Sequence, residues 1–418
     1  MSIGSTWAGT HDFTASALIE ATSISQVQDA VAHTRGQVRA LGTRHSFNDI
    51  ADSPGTLITV TGIDANPVLD EESATVTVGA GIRYGELATW LEARGWALHN
   101  MGSLPHISVG GAVATGTHGS GVTNGCLSAA VAALEYVDAQ GELRSVSRGD
   151  EGWEGLVVGL GAYGIVVRLS LDIQPSYLVR QDVYRGLPWQ ALLDDLTGIM
   201  ASAYSVSAFT TWAEDAVQQV WRKSRIGAGP EPMPDWLGAR VERPDESGLV
   251  GVDPSNLTAK AGVRGAWLDR LPHFRLDSKP SNGEEIQTEY FVDLADGPDA
   301  LRAVRELAAD IAPHLFITEL RTVASDNLWL SGAYERDTLA IHFTWRKRPA
   351  AVADLTPRIE AALAPFGARP HWGKVHSMTA DAVAAAVPRL ADARAQFEAL
   401  DPEGRFANDH LRTLALRA

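Results

Sequence analysis

The sequence predicts an α+β chain of two parts, and three observations carry that prediction. Up to about residue 175, short β-branched runs alternate with glycine-rich turns, and few helices could serve as crossovers between parallel strands. From about residue 177 tryptophan becomes denser, and a strand-helix-strand-strand-helix order follows. That order suits one antiparallel sheet with helices on one face. The length, 418 residues, is long for one domain and comfortable for two. The expected boundaries are 1–176, 177–385 and a C-terminal segment, 386–418.

Each element has a local reason. Residues 24–34 read as a helix with Ser23 or Ser25 as its N-cap. Residues 38–41 read as a strand leading into the polar loop 42–49. Residues 56–60 and 74–78 are rich in β-branched side chains and read as strands. Residues 84–94 read as a helix, with Gly95 as the residue that ends it. The stretch 102–125 is glycine-rich and reads as a loop. Residues 131–138 and 142–146, joined by Ala139-Gln140-Gly141, read as a hairpin. Residues 156–173 read as a strand pair broken by glycines. In the second part, residues 225–279 read as a long loop. Residues 287–292, 315–323 and 338–345 read as strands, and 299–311 and 350–364 as helices. Residues 388–418 read as helical, with a turn at Asp401-Pro-Glu-Gly404.

Composition excludes several function classes. Hydrophobic residues make up 45% and charged residues 21%, as in ordinary globular proteins. The net charge of -16 disfavours a nucleic-acid partner, because phosphate binding needs clustered Lys and Arg. Cys126 is the single cysteine, so neither an internal disulfide nor a multi-cysteine metal site can form. The histidines show no i, i+4 HExxH spacing, so no metal is expected. No continuous apolar run reaches membrane-spanning length, and residues 1–13 lack a signal-peptide pattern. The expectation is a cytoplasmic monomer with no membrane partner.

The chemistry-bearing segments are two loops and a sheet face. The chain has no convincing GxGxxG after its first strand and no GxxxxGK[ST] loop, which disfavours a Rossmann or P-loop nucleotide site. It has instead two loops of glycines and hydroxyls, 42–46 and 108–121. Glycine lets backbone N–H groups approach a diphosphate closely, and Ser and Thr add donors. The apolar Ala112-Val-Ala114 within the second loop could pack against a flat ring. His45, in the first loop, is ambiguous by itself. It could be an ordinary exposed or core histidine, or an imidazole nucleophile able to bond an electrophilic cofactor carbon. In the strands, alternate side chains share a face. Ile317, Glu319 and Arg321 therefore point one way, as do His342 and Thr344, while Leu320, Ile341 and Phe343 point the other way into a core. Such a face could be a solvated surface with an ordinary salt bridge. Lys374, after a compact Pro-His-Trp-Gly turn, tips the balance towards a site that binds many hydroxyls.

Several segments carry a family resemblance. Leu41-Gly-Thr-Arg-His-Ser-Phe-Asn48 resembles the pyrophosphate loop of the vanillyl-alcohol-oxidase type of FAD enzymes. The run from Ser103 through Ser108, Gly111 and His118 to Ser120 resembles the family's second FAD loop. Arg369-Pro-His-Trp-Gly-Lys374 resembles the HW-x-K motif of its aldonolactone and alditol oxidase branch, and Thr318-Glu-Leu-Arg321 and Phe343-Thr-Trp345 are also in place. Asp401-Pro-Glu-Gly-Arg-Phe-Ala-Asn408 resembles the segment that returns to the FAD domain.

The resemblance spans nearly the whole chain. It implies a two-domain FAD-binding fold with an antiparallel-sheet cap domain over residues 177–385. It also implies FAD held covalently through the 8α-methyl by His45. Leu41, Gly42, Thr43, Arg44, Ser46, Ser103, Ser108, Gly111, Thr115, Gly116, Thr117, His118, Val166 and His371 are the implied cofactor contacts. Arg44 could place its charge by the phosphates or merely line the loop. Arg321 and Lys374 are the candidates to stabilise negative charge on a substrate oxygen, with Glu319 and His342 beside them. Ser103, Glu319, Arg321, Thr344 and Lys374 would bind the hydroxyls of a small polyol such as xylitol or sorbitol. Hydride transfer from its terminal carbinol to FAD, with O2 reduced to hydrogen peroxide, is the expected reaction. An aldonolactone oxidase or dehydrogenase is the alternative, and a non-catalytic flavin or sugar binder the third reading.

Overall fold

Local pairing organises the first part of the chain. The computed structural model describes residues 3–227, 235–243, 246, 252–278 and 284–417. Ala17–Glu20, Thr56–Thr59 and Val38–Leu41 form a three-stranded sheet in that order, with both pairings parallel. A second sheet orders Val68–Asp70, Thr75–Gly79, Ile165–Asp172, Val131–Val137 and Leu143–Ser147, all antiparallel. The helix Ile24–His33 starts on Ser23, whose hydroxyl accepts from the Gln26 amide, and buries Val27 and Val31, one turn apart. The helix Tyr84–Glu92 buries Tyr84, Leu87, Ala88 and Leu91 and is followed by Gly95 at φ +77.

Two expectations for this part need correction. Residues 156–173 do not hold a strand pair; only Ile165–Asp172 is a long strand. The glycines before it serve close packing instead. A Cβ on Gly159 would lie 2.2 Å from the Tyr163 ring, and one on Gly164 would lie 2.7 Å from the Tyr136 ring. The glycine-rich stretch also contains a short helix, Val109–Ala114, whose Val109, Ala112 and Val113 are buried.

Among the described residues, the second part is built on one ten-stranded sheet. Its order is Asp235–Trp236, Ala239–Val241, Leu178–Pro188, Ala216–Arg225, Ser205–Thr210, Leu315–Val323, Thr338–Arg346, Glu285–Asp293 and Arg369–Pro370, with Gly265–Ala266 pairing to Leu178–Pro188 off that path. Every pairing is antiparallel. The three strands read from sequence are present. The strands over 178–225 were not read, and the reason is burial on both faces. Ser205–Thr210 is buried at every position, so no alternation of polar and apolar residues announces it. Part of the expected loop 225–279 lies outside the described residues. Helices Gly297–Arg305 and Pro349–Leu363 pack Leu301, Val304, Leu355 and Ile359 against Leu320, Ile341 and Phe343, which forms the core on one face of the sheet. The expected helix 299–311 is broken into Gly297–Arg305 and Ala308–Ile311.

The C-terminal segment returns to the first part. The turn at 401–404 closes with the Gly404 amide donating to Asp401 O. Beyond it, Arg405 donates to Val31 O and Thr34 O at 2.7 Å each, and Asn408 Nδ2 to Ile50 O and Asp52 O at 3.0 and 2.9 Å. The Val38 amide in turn donates to Arg405 O at 2.7 Å, which ties down the start of the strand that delivers the loop 42–46.

Candidate active site

The two glycine loops and the face of the large sheet opposite its helices line a cavity of about 300 Å³. Almost every residue named from sequence lines it. Leu41, Gly42, Thr43, His45, Ser46, Ser108, Gly111, Thr115, Thr117 and Val166 are on one side. Ser103, Glu319, Arg321, His342, Thr344 and Lys374 are on the other, with His118 and His371 between.

The loop side fits a dinucleotide cradle. The two loops touch: the Ser108 amide donates to Thr43 Oγ1 at 3.0 Å. A Cβ on Gly42 would lie 2.7 Å from Ser108 Oγ, and one on Gly111 would lie 3.0 Å from it, so a side chain at either position would displace that hydroxyl. Among the described residues, the amides of Thr43, Arg44, His45 and Ser46 donate to no protein acceptor. Arg44 has φ 64, the left-handed conformation that helps successive N–H groups converge on an anion. His45 Nδ1 is buried without a partner, and its ring stacks on Trp7 at 5.5 Å with an interplanar angle of 24°. Burial first, then the nearby charges of His106, Lys374 and Arg83, push His45 down to about 4. The ring is therefore neutral at neutral pH and keeps a nitrogen lone pair. These features match what a covalently held, diphosphate-bearing cofactor needs.

Two cofactor contacts expected from sequence are placed differently. The Arg44 guanidinium donates to Ile3 O at 2.8 Å and lies over the Phe13 ring, so its charge turns to the N-terminal segment rather than to the cradle. Arg44 still lines the cavity, as the second of its two expected placings has it. Gly116 does not line the cavity. At φ +65 it ends the short helix, its amide donating to Val113 O.

The opposite wall is a set of polar rows across adjacent strands. Glu319 faces His342, and His342 faces Glu289, directly across the ladder; Thr344 pairs with Ile317 and with Gln287. Arg321 Nη2 donates to Glu289 Oε1 at 2.7 Å, and its Nη1 to Ser103 Oγ at 3.3 Å and His118 O at 3.4 Å. Glu289 also meets His118 Nε2 and His342 Nδ1, both at 3.1 Å. Glu289 is thus consumed by internal partners. Glu319 is not: Oε1 accepts from His273 Nε2 at 2.6 Å, while Oε2 has no partner among the described residues.

Charge states follow from these contacts. Burial opposes ionisation of Glu289, but Arg321, His342 and His118 outweigh it and hold the carboxyl well below the ordinary glutamate range. Glu319 is likewise lowered against burial, chiefly by Arg321 and His273. Burial lowers His342, so its ring is neutral. With Nδ1 facing a carboxylate, Nδ1 carries the proton. Nε2 is then the unprotonated nitrogen and accepts from the Thr344 hydroxyl at 3.2 Å. Burial also brings Lys374 down to about 8; its Nζ donates to Gln287 Oε1 and lies over the Phe47 ring.

One cluster bears on metals. His118, Glu289 and His371 bring ligand atoms within 4.8 Å of one another. Glu289 and His371 already have other protein partners: Glu289 pairs with Arg321, and His371 Nδ1 accepts from the Gly373 amide at 3.1 Å. His371 serves the turn that presents Lys374. That turn is tied to the first loop by Asn48, whose Nδ2 donates to Trp372 O and Lys374 O at 2.8 Å each.

Sequence reasoning missed Glu289, Gln287, His273, Asn48 and Trp7. The first two carry a usable signal, since Gln287 and Glu289 alternate on a recognised strand as Glu319 and Arg321 do. His273 and Trp7 lie in segments without periodicity and carry none.

Comparisons with known proteins agree with this geometry. A family profile described as "FAD binding domain" matches residues 15–147, and one described as "D-arabinono-1,4-lactone oxidase" matches residues 281–414. The chain is 44% identical to an alditol oxidase of Streptomyces sp. over 98% of each chain. It is 30% identical to an L-gulono-1,4-lactone dehydrogenase of Mycobacterium tuberculosis, again over 98% of each. Its backbone is similar to the crystal structure of cholesterol oxidase from B. sterolicum, with a TM-score of 0.77 at 15% identity, covering 98% of this chain and 96% of that one. That last likeness shows the fold alone.

Proposed function

The chain belongs to the vanillyl-alcohol-oxidase type of FAD-linked oxidases, in the branch of the alditol and aldonolactone oxidases, and from that premise we propose that it oxidises the terminal carbinol of an open-chain polyol such as xylitol or sorbitol to an aldose. The observation that carries this reading is the polar wall. Ser103, Glu319, Arg321, Thr344 and Lys374 set donors and acceptors in rows on rigid strands and one tied turn, beside the cradle of the two glycine loops. An alditol offers a hydroxyl on every carbon to such a wall. The higher identity to an alditol oxidase than to a lactone dehydrogenase supports the open-chain substrate over a cyclic one.

FAD, when bound along the two glycine loops, would supply the hydride acceptor, with O2 as the final oxidant and hydrogen peroxide as the second product. His45, neutral and with an unpartnered nitrogen, is the residue to attach it covalently. The protein's part is to bind, orient and deprotonate the alcohol. His342 Nε2 takes the hydroxyl proton, in the tautomer that Glu289 fixes. Arg321 and Lys374 stabilise the negative charge that develops on that oxygen. Glu319, Ser103 and Thr344 hold the remaining hydroxyls and orient the carbinol carbon. Residues 1–176 and 386–418 would hold the cofactor and 177–385 the substrate, an arrangement supported by the bonds from Arg405 and Asn408 to the first part. The chain would work as a cytoplasmic monomer.

The test is turnover with a peroxide-coupled assay. Xylitol or sorbitol should release peroxide faster than L-gulono-1,4-lactone. A preference for the lactone would overturn the substrate assignment. Bound flavin without turnover of either would favour a binding protein.

A further inference from the structure

Behind the polar wall lies a buried lysine with no part in the reaction as described. Lys223, on the strand Ala216–Arg225, is 1% exposed and does not line the cavity. Its Nζ donates to Leu271 O at 2.5 Å and sits 2.9 Å from His273 Nδ1. His273 Nε2 in turn meets Glu319 Oε1 at 2.6 Å. Burial brings Lys223 down to about 7, and an amine or ammonium there can donate in either state, while the Glu319 carboxylate can only accept, so the neutral ring between them has one consistent arrangement. Nδ1 accepts from Lys223, and Nε2–H donates to Glu319. The ring is neutral: burial, then Lys223, pushes His273 down to about 4. Phe209 and Trp221 meet the ring edge-on at 5.7 and 5.0 Å and fix its plane. Arg321 and Glu319 are the other charged groups packed near it.

We infer that Lys223 and His273 are positioning residues for substrate selection: Lys223 fixes the His273 tautomer, His273 holds Oε1 of Glu319, and Oε2 is thereby left aimed into the cavity as the acceptor for an inner hydroxyl of the substrate. This rests on the polyol reading above. The contrast with Glu289 supports it. Glu289 spends both oxygens on protein partners, whereas Glu319 spends one. The same segment also fixes Ser103, because the His273 and Phe274 amides donate to Ser103 O at 3.0 and 3.2 Å. One chain of contacts therefore sets two hydroxyl-binding groups.

The test compares variants on two substrates, xylitol and a simple primary alcohol that lacks inner hydroxyls. Lys223→Met and His273→Asn should raise KM for xylitol roughly 10- to 100-fold, the range for a lost hydrogen bond to a charged group, with a smaller change in kcat. The KM shift for the simple alcohol should be clearly smaller, above all in Lys223→Met, which lies outside the cavity. His273→Gln, which keeps a donor near Nε2, should restore most of the xylitol KM. In a Glu319→Gln background the Lys223 and His273 effects should disappear. Equal KM shifts on both substrates, or additive effects with Glu319→Gln, would overturn the inference. A second measurement needs no turnover. Long-range proton-nitrogen NMR of the 15N-histidine-labelled holoprotein should show His273 as the Nε2–H tautomer in the wild type and a mixture in Lys223→Met. An Nδ1–H tautomer in the wild type would also overturn it. If no polyol is turned over at all, the substrate reading fails while this spectrum still decides the tautomer chain.

Discussion

Replacing Glu289 with Gln removes one charge from the centre of the polar wall and keeps the side chain's shape. The Glu289 side chain is 1% exposed and accepts from Arg321 at 2.7 Å and from His118 and His342 at 3.1 Å each. Breaking one partner of a buried ion pair costs about 3–5 kcal/mol, because the other charge is left uncompensated. For a chain of this length that is on the order of 5 °C in Tm. The pH dependence identifies the source. The folded pKa of Glu289 is depressed well below the ordinary 4.5, so its contribution is fully present above 4.5 and is lost as pH falls through the folded value. The wild type's advantage in Tm should be constant from pH 8 to about 5 and shrink only below about 4.5. Turnover should fall too, by on the order of 100-fold, since Arg321 loses its anchor and His342 its fixed tautomer. Thermal melts across pH and steady-state peroxide release measure both. A gap that stays the same at pH 3.5, or full activity in the variant, would refute the reasoning.

Further outcomes follow from the same geometry. The His45→Ala protein should release its flavin on acid denaturation or fail to retain it; yellow colour left on the denatured polypeptide contradicts the attachment. The wild-type kcat/KM should fall as pH rises through about 8, where Lys374 loses its proton, and Lys374→Arg should flatten that limb. A low-pH limb should lie below 6.5, set by protonation of His342, and should not move in Lys374→Arg. Gly102 lines the cavity next to Ser103 and leaves room there for O2; in Gly102→Val the new Cβ meets Ile107 and Thr117 at an ordinary 3.7 Å, so the fold should hold while the branches fill that room. Stopped flow should then show slower reoxidation by O2 with unchanged reduction by substrate.

Much of the site is legible because it rests on short-range rules. Strand alternation puts Glu319 with Arg321 and His342 with Thr344, and the ladder brings them face to face. The glycine and hydroxyl content of 42–46 and 108–121 marks two close-approach loops, and the loops do meet through Ser108 and Thr43. The DPEG turn and the helix cap at Ser23 are equally local. Legibility ends where a residue's meaning depends on a distant partner. Arg44 sits in a cradle loop by sequence, yet its guanidinium goes to Ile3, 41 residues away. Burial on both faces removes the alternation that would have revealed Ser205–Thr210.

The sequence by itself determined the family, the two glycine loops, the placing of His45 in the first of them, and the shared face of Glu319 and Arg321. Each of these depends on neighbours within a few positions, so the order of residues carries it. The tertiary structure alone decided which carboxylate is spent and which is free. Glu289 is closed by Arg321, His118 and His342, while Glu319 keeps Oε2 open because His273, 46 residues away, occupies only Oε1. Lys223 stands 50 residues from His273, and only the folded sheet, closing that long loop, makes one act on the other.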